Sequence, residues 1–473
     1  MKPLLRWLFV ALFCCGAFAA EPTQVMVGAA AVDITPDYPI RLNGYASRSG
    51  PSEGVEQKLF AKALAMGAPE QGDLTLVLTV DNLGVPAAIV EKVYSEISGK
   101  LKIAREQFAV CASHTHSAPL LSGMTSNIFG MDIPKEQWEA IDRYTKETTE
   151  KLIQVGLDAI QKRRAGELFW GMGRVGFAKN RRTENGPTDH DLPVLAAKVD
   201  GKWAAVLVNY ACHCTTLGGE FNKTCGDWCG YAQAAIEENF PGAVALVAIG
   251  CGGDANPFPR GTLDNAKSHG QSLASEVARL IQSDLKPLHA APKGTMTRFN
   301  LAFDTLPTRP QWEQWSTNQN AIGYHARKNL ARLDRGEKLP TEFPYSVEVW
   351  AFGDDLAMIF LPCEVVVDYS LRAKRTYAAH RVWVNAYSND EQCYIPSKRI
   401  WQEGGYEGGG AMIYYDWPTR LAADTEERIF AAIDRVMPAA FKVAAAKETE
   451  QRPKSPEEAL KTFRLPQGFE IDL

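Results

Sequence analysis

Short apolar runs alternate with amphipathic stretches along most of this 473-residue chain. Leu74–Val80 and Gln107–Ala112 are brief and almost wholly apolar, the pattern of buried strands. The same pattern predicts strands over Leu168–Val175, Val194–Val199, Trp203–Tyr210, Ala243–Ile249, Ser346–Phe352, Leu356–Leu361 and Arg381–Ala386. Helical spacing runs through Ala87–Leu101 and through Glu136–Lys162, where Trp138, Ile141, Tyr144 and Ile153 share a face. Further helices are expected at Trp228–Glu238, Leu263–Leu285, Gln311–Leu333, Val365–Tyr377 and Leu421–Val436. Strand followed by helix, repeated without internal repeats of sequence, predicts an α/β fold: a mixed or mainly parallel β-sheet with flanking helices.

The two ends read differently. Lys2 and Arg6 precede the apolar run Trp7–Phe18, and Ala17-Phe18-Ala19 has the small-x-small form of a signal-peptidase site. Residues 1–19 are therefore read as a signal peptide, and the protein as secreted or periplasmic. Cys14 and Cys15 are poorly placed for lipid anchoring. Residues 25–440 form the expected folded domain. Residues 441–473, with the charged, proline-containing stretch Lys447–Glu457, read as linker and tail.

Composition narrows the class. Apolar residues make up 45% and charged residues 23%, which suits a globular domain. A net charge of −5 gives no electrostatic footprint for nucleic acid. No stretch after the leader is long and apolar enough for a stable membrane span, so the expected partner is a small molecule. Of ten cysteines, Cys111, Cys212, Cys214, Cys225, Cys229, Cys251, Cys363 and Cys393 lie beyond the leader. Small buried residues or disulfides are the preferred reading; a metal site at Cys212, Cys214, Cys225 and Cys229 is the alternative.

Polar residues gather where predicted strands end, the usual ligand-binding edge of α/β sheets. His114 and His116 follow the strand ending at Ala112, and His213 follows the strand ending at Tyr210. Gly226-Asp227-Trp228 opens a helix, and Gly250-Cys251-Gly252-Gly253-Asp254-Ala255-Asn256-Pro257 follows another strand. Glu364 follows Leu361-Pro362-Cys363, and Tyr394 and Tyr406 flank a glycine-rich stretch. Two histidines and one glutamate form a known catalytic zinc set with an open position for water or substrate, which is the chemical reason to group them.

In this order the motifs resemble the catalytic domain of the neutral/alkaline non-lysosomal ceramidases. The resemblance rests on Val27-Gly28 through Pro36, Asn43-Gly44-Tyr45, Ser113–Pro119, His213, Gly226–Tyr231, Pro362-Cys363-Glu364, Tyr394-Ile395 and Tyr406-Glu407-Gly408. It extends over about residues 25–435. It implies a Zn2+ ion held by His114, His213, Glu364 and Tyr394. It also implies that His116, Arg181 and Tyr406 contact the scissile amide and stabilise its oxyanion.

Two departures stand out. Asn256 occupies the position of the family's essential serine, and an amide side chain cannot act as an activated nucleophile. The family's C-terminal immunoglobulin-like domain is expected to be missing. The function expected is a zinc-dependent hydrolase of an amide or ester bond, with an activated water and a small substrate that is lipid or acidic. The alternatives are a metal-containing ligand-binding module without turnover and a true ceramidase.

Overall fold

Two strands with alanine-rich centres organise the main sheet. Val25–Asp33 and Phe60–Gly67 are rich in alanine and glycine and pair with each other antiparallel. Their small side chains let the helix Lys135–Gln161 approach closely: a Cβ on Gly28 would stand 2.1 Å from the carbonyl oxygen of Ala159. Periodicity did not predict these strands, because alanine and glycine carry little strand signal. The computed structural model describes residues 23–68 and 74–442. The expected signal peptide and residues 443–473 lie outside the described residues.

The main sheet runs in the order Phe108–Ala112, Leu74–Val80, Phe60–Gly67, Val25–Asp33, Arg164–Arg174, Asp191–Val199, Lys202–Tyr210, Val244–Ile249, with Lys286–Pro287 added beside Arg164–Arg174. Only the two outermost pairs on that path are parallel. The sheet is thus mixed but mainly antiparallel, which corrects the mainly parallel alternative. The two unpredicted strands and the direct pairing of Asp191–Val199 with Lys202–Tyr210 replace helical crossovers with antiparallel neighbours. A second sheet orders Lys293–Ala302, Glu342–Phe352, Leu356–Phe360 and Val382–Asn385.

The two sheets pack face to face. Leu64, Met66, Leu195, Leu207 and Leu246 of the first meet Trp350, Phe352, Met358, Phe360 and Trp383 of the second. Strand residues of the other parity, such as Ala63, Ala65, Val206, Val208 and Ile359, join the core on the helix-covered sides. Lys135–Gln161, Asp227–Asn239 and Leu263–Ser283 cover the first sheet, while Asp368–Thr376 and Thr425–Val436 cover the second. The result is helix, sheet, sheet, helix, in keeping with the expected α/β class.

The segment read as one helix over Gln311–Leu333 is two, Arg309–Ser316 and Ala321–Asp334. Asn320 breaks the run by capping the second helix, its side chain accepting from the backbone N–H groups of Ile322 and Gly323. All eight cysteines named above are buried free thiols. Among the described residues no helix is long and apolar enough to cross a membrane.

Candidate metal centre

Loops leaving the strand ends converge on one pocket. His114 lies just beyond Phe108–Ala112 with φ 56°, a left-handed conformation that few non-glycine residues adopt. Cys363, Tyr387 and Asn389, in the loops beside it, share that conformation. Such outliers each cost about 1–3 kcal/mol and persist where the surroundings over-determine them. His213 follows Lys202–Tyr210 and is held by a bond from its N–H to the carbonyl oxygen of Ala255. Glu364 and Tyr394 are direct partners in a short parallel ladder, so their side chains emerge together.

Each of the three histidines is oriented by its Nδ1. The distance is 2.7 Å from His114 Nδ1 to the oxygen of Leu83, 3.0 Å from His116 Nδ1 to that of Gly44, and 2.7 Å from His213 Nδ1 to that of Gly252. A carbonyl oxygen only accepts, so every Nδ1 carries the proton and every Nε2 presents a lone pair. Gly44 must be glycine: its φ is +90°, and a Cβ would fall 2.4 Å from the His116 ring. Gly252 approaches the backbone of Cys212, where a Cβ would meet its nitrogen at 2.7 Å.

The three Nε2 atoms face inward. His114 and His116 are 3.1 Å apart through Nε2, and Glu364 Oε2 lies 3.3 Å from His114 Nε2 and 3.0 Å from His213 Nε2. Tyr394 Oη is 3.2 Å from His213 Nε2. Around a tetrahedral ion with bonds of about 2.0–2.1 Å, adjacent donors stand about 3.3 Å apart, so these separations suit a shared cation. Glu364 Oε2 is buried and receives no hydrogen bond. Its charge faces imidazole lone pairs, an arrangement that a metal ion would neutralise. His114, His116 and His213 alone also form a metal-competent triad, with one nitrogen from each within 4.8 Å of the others.

Titration follows this environment. Burial and the neighbouring imidazoles push the His116 pKa well below its usual value, and burial with the Arg181 charge takes His213 down to about 4.

Around the donors lies a supporting set. Tyr415 Oη donates to Glu364 Oε1, a role that no sequence motif signalled. Arg181 Nε donates to Glu407 Oε1 at 2.7 Å, and its Nη2 donates to Tyr394 Oη at 3.0 Å. Its Nη1 sits 3.3 Å from His213 Nε2 and 3.5 Å from Asn256 Oδ1. Arg182 completes the clamp with a 2.5 Å bond to Glu407 Oε2. Asn256, in the short strand Ala255–Pro257, also accepts from Thr215 at 3.3 Å. Tyr406 is 45% exposed, and its ring lies 5.3 Å from that of Tyr394.

These groups open into a cavity of about 640 Å³, which His116, Arg181, Asn256, Tyr394 and Tyr406 line. His114, His213 and Glu364 are buried and adjoin it through His116 and Tyr394. All eight residues singled out in the sequence therefore meet in one place.

Fold and site together define a layered α/β protein with a metal-competent histidine–carboxylate cluster at its strand ends. Residues 25–248 match the family model for neutral/alkaline non-lysosomal ceramidase, N-terminal. The crystal structure of neutral ceramidase from Pseudomonas aeruginosa is similar, at 17% identity and a TM-score of 0.67, over 88% of this chain and 75% of that one. A ceramidase complexed with C2 is similar at 16% identity and a TM-score of 0.68, with the same coverage. These likenesses show the fold. No curated protein sequence matches the chain.

Proposed function

We propose that this protein is a zinc-dependent amide hydrolase, with the metal held by His114, His213, Glu364 and Tyr394. The observation that carries the reading is the buried, unprotonated donor cluster: two fixed imidazole lone pairs facing a carboxylate oxygen that receives no hydrogen bond. Nitrogen and oxygen donors at these separations are chemistry that zinc favours. When bound, zinc supplies Lewis acidity, which lowers the pKa of a water molecule and polarises an amide carbonyl.

The chain's own residues do the rest. His116 lines the cavity and turns its Nε2 lone pair toward it, so it is placed to take a proton from the attacking water and return it to the leaving amine. Arg181, fixed by Glu407, and the phenol of Tyr406 offer donors to a developing oxyanion. Asn256 cannot replace a nucleophilic hydroxyl, and its amide is assigned to holding substrate. We place the mature chain beyond the cytoplasmic membrane on the strength of the leader-like residues 1–19.

The test is hydrolysis of N-acyl amino acids, ceramides and simple esters by the zinc-loaded protein, with and without chelator. Chelator-sensitive amide cleavage supports the proposal. A protein that binds zinc stoichiometrically and cleaves none of them would instead be the metal-containing binding module that Asn256 favours.

A further inference from the structure

The walls of the cavity say what kind of molecule enters it. Among the described residues that line it, none is leucine, isoleucine, valine, methionine or phenylalanine. Its surface is built from arginine, glutamate, threonine, asparagine, tyrosine, histidine and glycine. An acyl tail would meet no aliphatic side chain there, only the stems and rings of polar residues, and would desolvate polar groups without replacing their hydrogen bonds.

Three guanidinium groups face the cavity, and they are not equivalent. Arg181 and Arg182 share Glu407, and Arg182 also reaches Glu403 at 3.1 Å. Both are neutralised within the protein. Arg260 is exposed at the rim and forms no ion pair with any described residue; its one polar contact is a long 3.5 Å approach to Tyr45 Oη. That phenol donates to the carbonyl oxygen of Leu217 at 2.6 Å, so it offers Arg260 a lone pair and no charge.

The backbone around Arg260 is fixed on both sides. His269 Nε2 bonds the oxygen of Pro259 at 2.6 Å, and the N–H of Gly261 donates to Thr216 at 2.7 Å. The second bond ties the loop to the segment that carries His213. Arg260 also stands three residues beyond the end of the strand of Asn256. A cation without a counter-charge is thus held over the same cavity as the candidate catalytic groups. A planar fork of this kind pairs naturally with a carboxylate.

We infer that the substrate is a small, polar amide bearing an anionic group, and that Arg260 is the specificity-determining residue that reads this group. The inference rests on the hydrolase reading above and names its substrate class. In the reaction, water adds its oxygen to the acyl carbon, the C–N bond breaks, and the nitrogen leaves with the second proton as an amine. The anion stays on Arg260 throughout.

The experiment uses the zinc-loaded protein, N-acetylglycine and N-acetylethanolamine, which share the scissile amide and differ in carrying a carboxylate or a neutral hydroxyl. Amine release gives kcat/KM, and calorimetry gives affinity independently of turnover. The expected result is a preference of about tenfold or more for the anion, the scale of one charge-assisted hydrogen bond. Arg260→Gln should erase that preference, mainly through KM, with metal content intact; Arg260→Lys should restore part of it.

Equal handling of the two amides by the parent protein, a preference that survives Arg260→Gln, or faster cleavage of a neutral ceramide than of N-acetylglycine would overturn the inference. The last outcome would direct attention to an apolar groove of about 550 Å³, lined by Trp312, Trp315, Ile322 and Trp417, which shares the 404–410 loop with the polar cavity. If neither amide is cleaved, calorimetry still decides. Arg260-dependent binding of N-acetylglycine keeps the ligand class while the hydrolase reading falls, and its absence removes both.

Discussion

The Nε2 atoms of His114 and His116 lie 3.1 Å apart with no proton between them, because each ring gives its Nδ1 proton to a backbone carbonyl oxygen. Two lone pairs at that distance repel unless a cation lies beside them. His114, though, has a second partner in the buried Glu364, whereas His116 lines the open cavity. We expect Glu364→Gln and His213→Ala to lose bound zinc and His116→Ala to retain it while losing turnover. Elemental analysis of the three purified variants checks this. Loss of zinc from His116→Ala with retention in Glu364→Gln would make the histidine triad the true ligand set.

Tyr415→Phe removes the hydroxyl that donates to Glu364 Oε1 and little else. Groups that orient a metal-binding side chain commonly contribute 10–100-fold in affinity, so a loss of about that size is expected in a competitive chelator titration. The melting temperature of the metal-free protein should move little, because the change leaves the ring in place.

Gly44→Ala would put a methyl group 2.4 Å from the His116 ring, in a backbone conformation with φ +90°. The ring must swing away or the loop must shift. We expect kcat to fall by about 10²-fold, the order that general acid–base catalysis contributes, with zinc content unchanged. Unaltered kcat in a folded, zinc-loaded variant would remove His116 from the proton-transfer role.

Glu407 supplies the pH prediction. Burial alone would raise its pKa, but Arg181 and Arg182 hold it below the ordinary carboxylate value. A lowered folded-state pKa contributes stability that is complete above the unfolded value of about 4.3 and is lost as pH falls through the folded value. Glu407→Gln should therefore cost about 3 kcal/mol near neutral pH, as expected on removing one partner of a buried pair. The gap to the parent should narrow in urea titrations at pH values below about 4. A gap that is constant with pH would mean that the carboxylate charge is not what stabilises the clamp.

Much of the core was legible from local pattern. Leu74–Val80 is apolar at almost every position because both of its faces are covered, and the structure keeps those bounds unchanged. Ile141 and Tyr144 are buried on the helix face where their spacing puts them. His114, His213 and Glu364 could be grouped because each follows a strand end, which topology gathers at one edge. The strands Val25–Asp33 and Phe60–Gly67 were not legible, since their small residues answer to a close-packed helix rather than to strand periodicity. Tyr415, Arg182 and Arg260 carried no signal either. Their roles depend on contacts with residues distant in sequence: Glu364 for the first, Glu407 for the second, and an unpaired position on the cavity rim for the third.

Among the described residues all eight cysteines are free thiols, so no disulfide cross-links that part of the chain. The donor cluster instead joins chain positions as far apart as His114 and Tyr394, so a captured ion would close loops longer than most disulfides do. It would act as a removable cross-link, adding to stability in proportion to the logarithm of free metal concentration. Resistance to unfolding would then respond to chelators and not to reductants, and scarcity of the ion would weaken the scaffold and silence the site together.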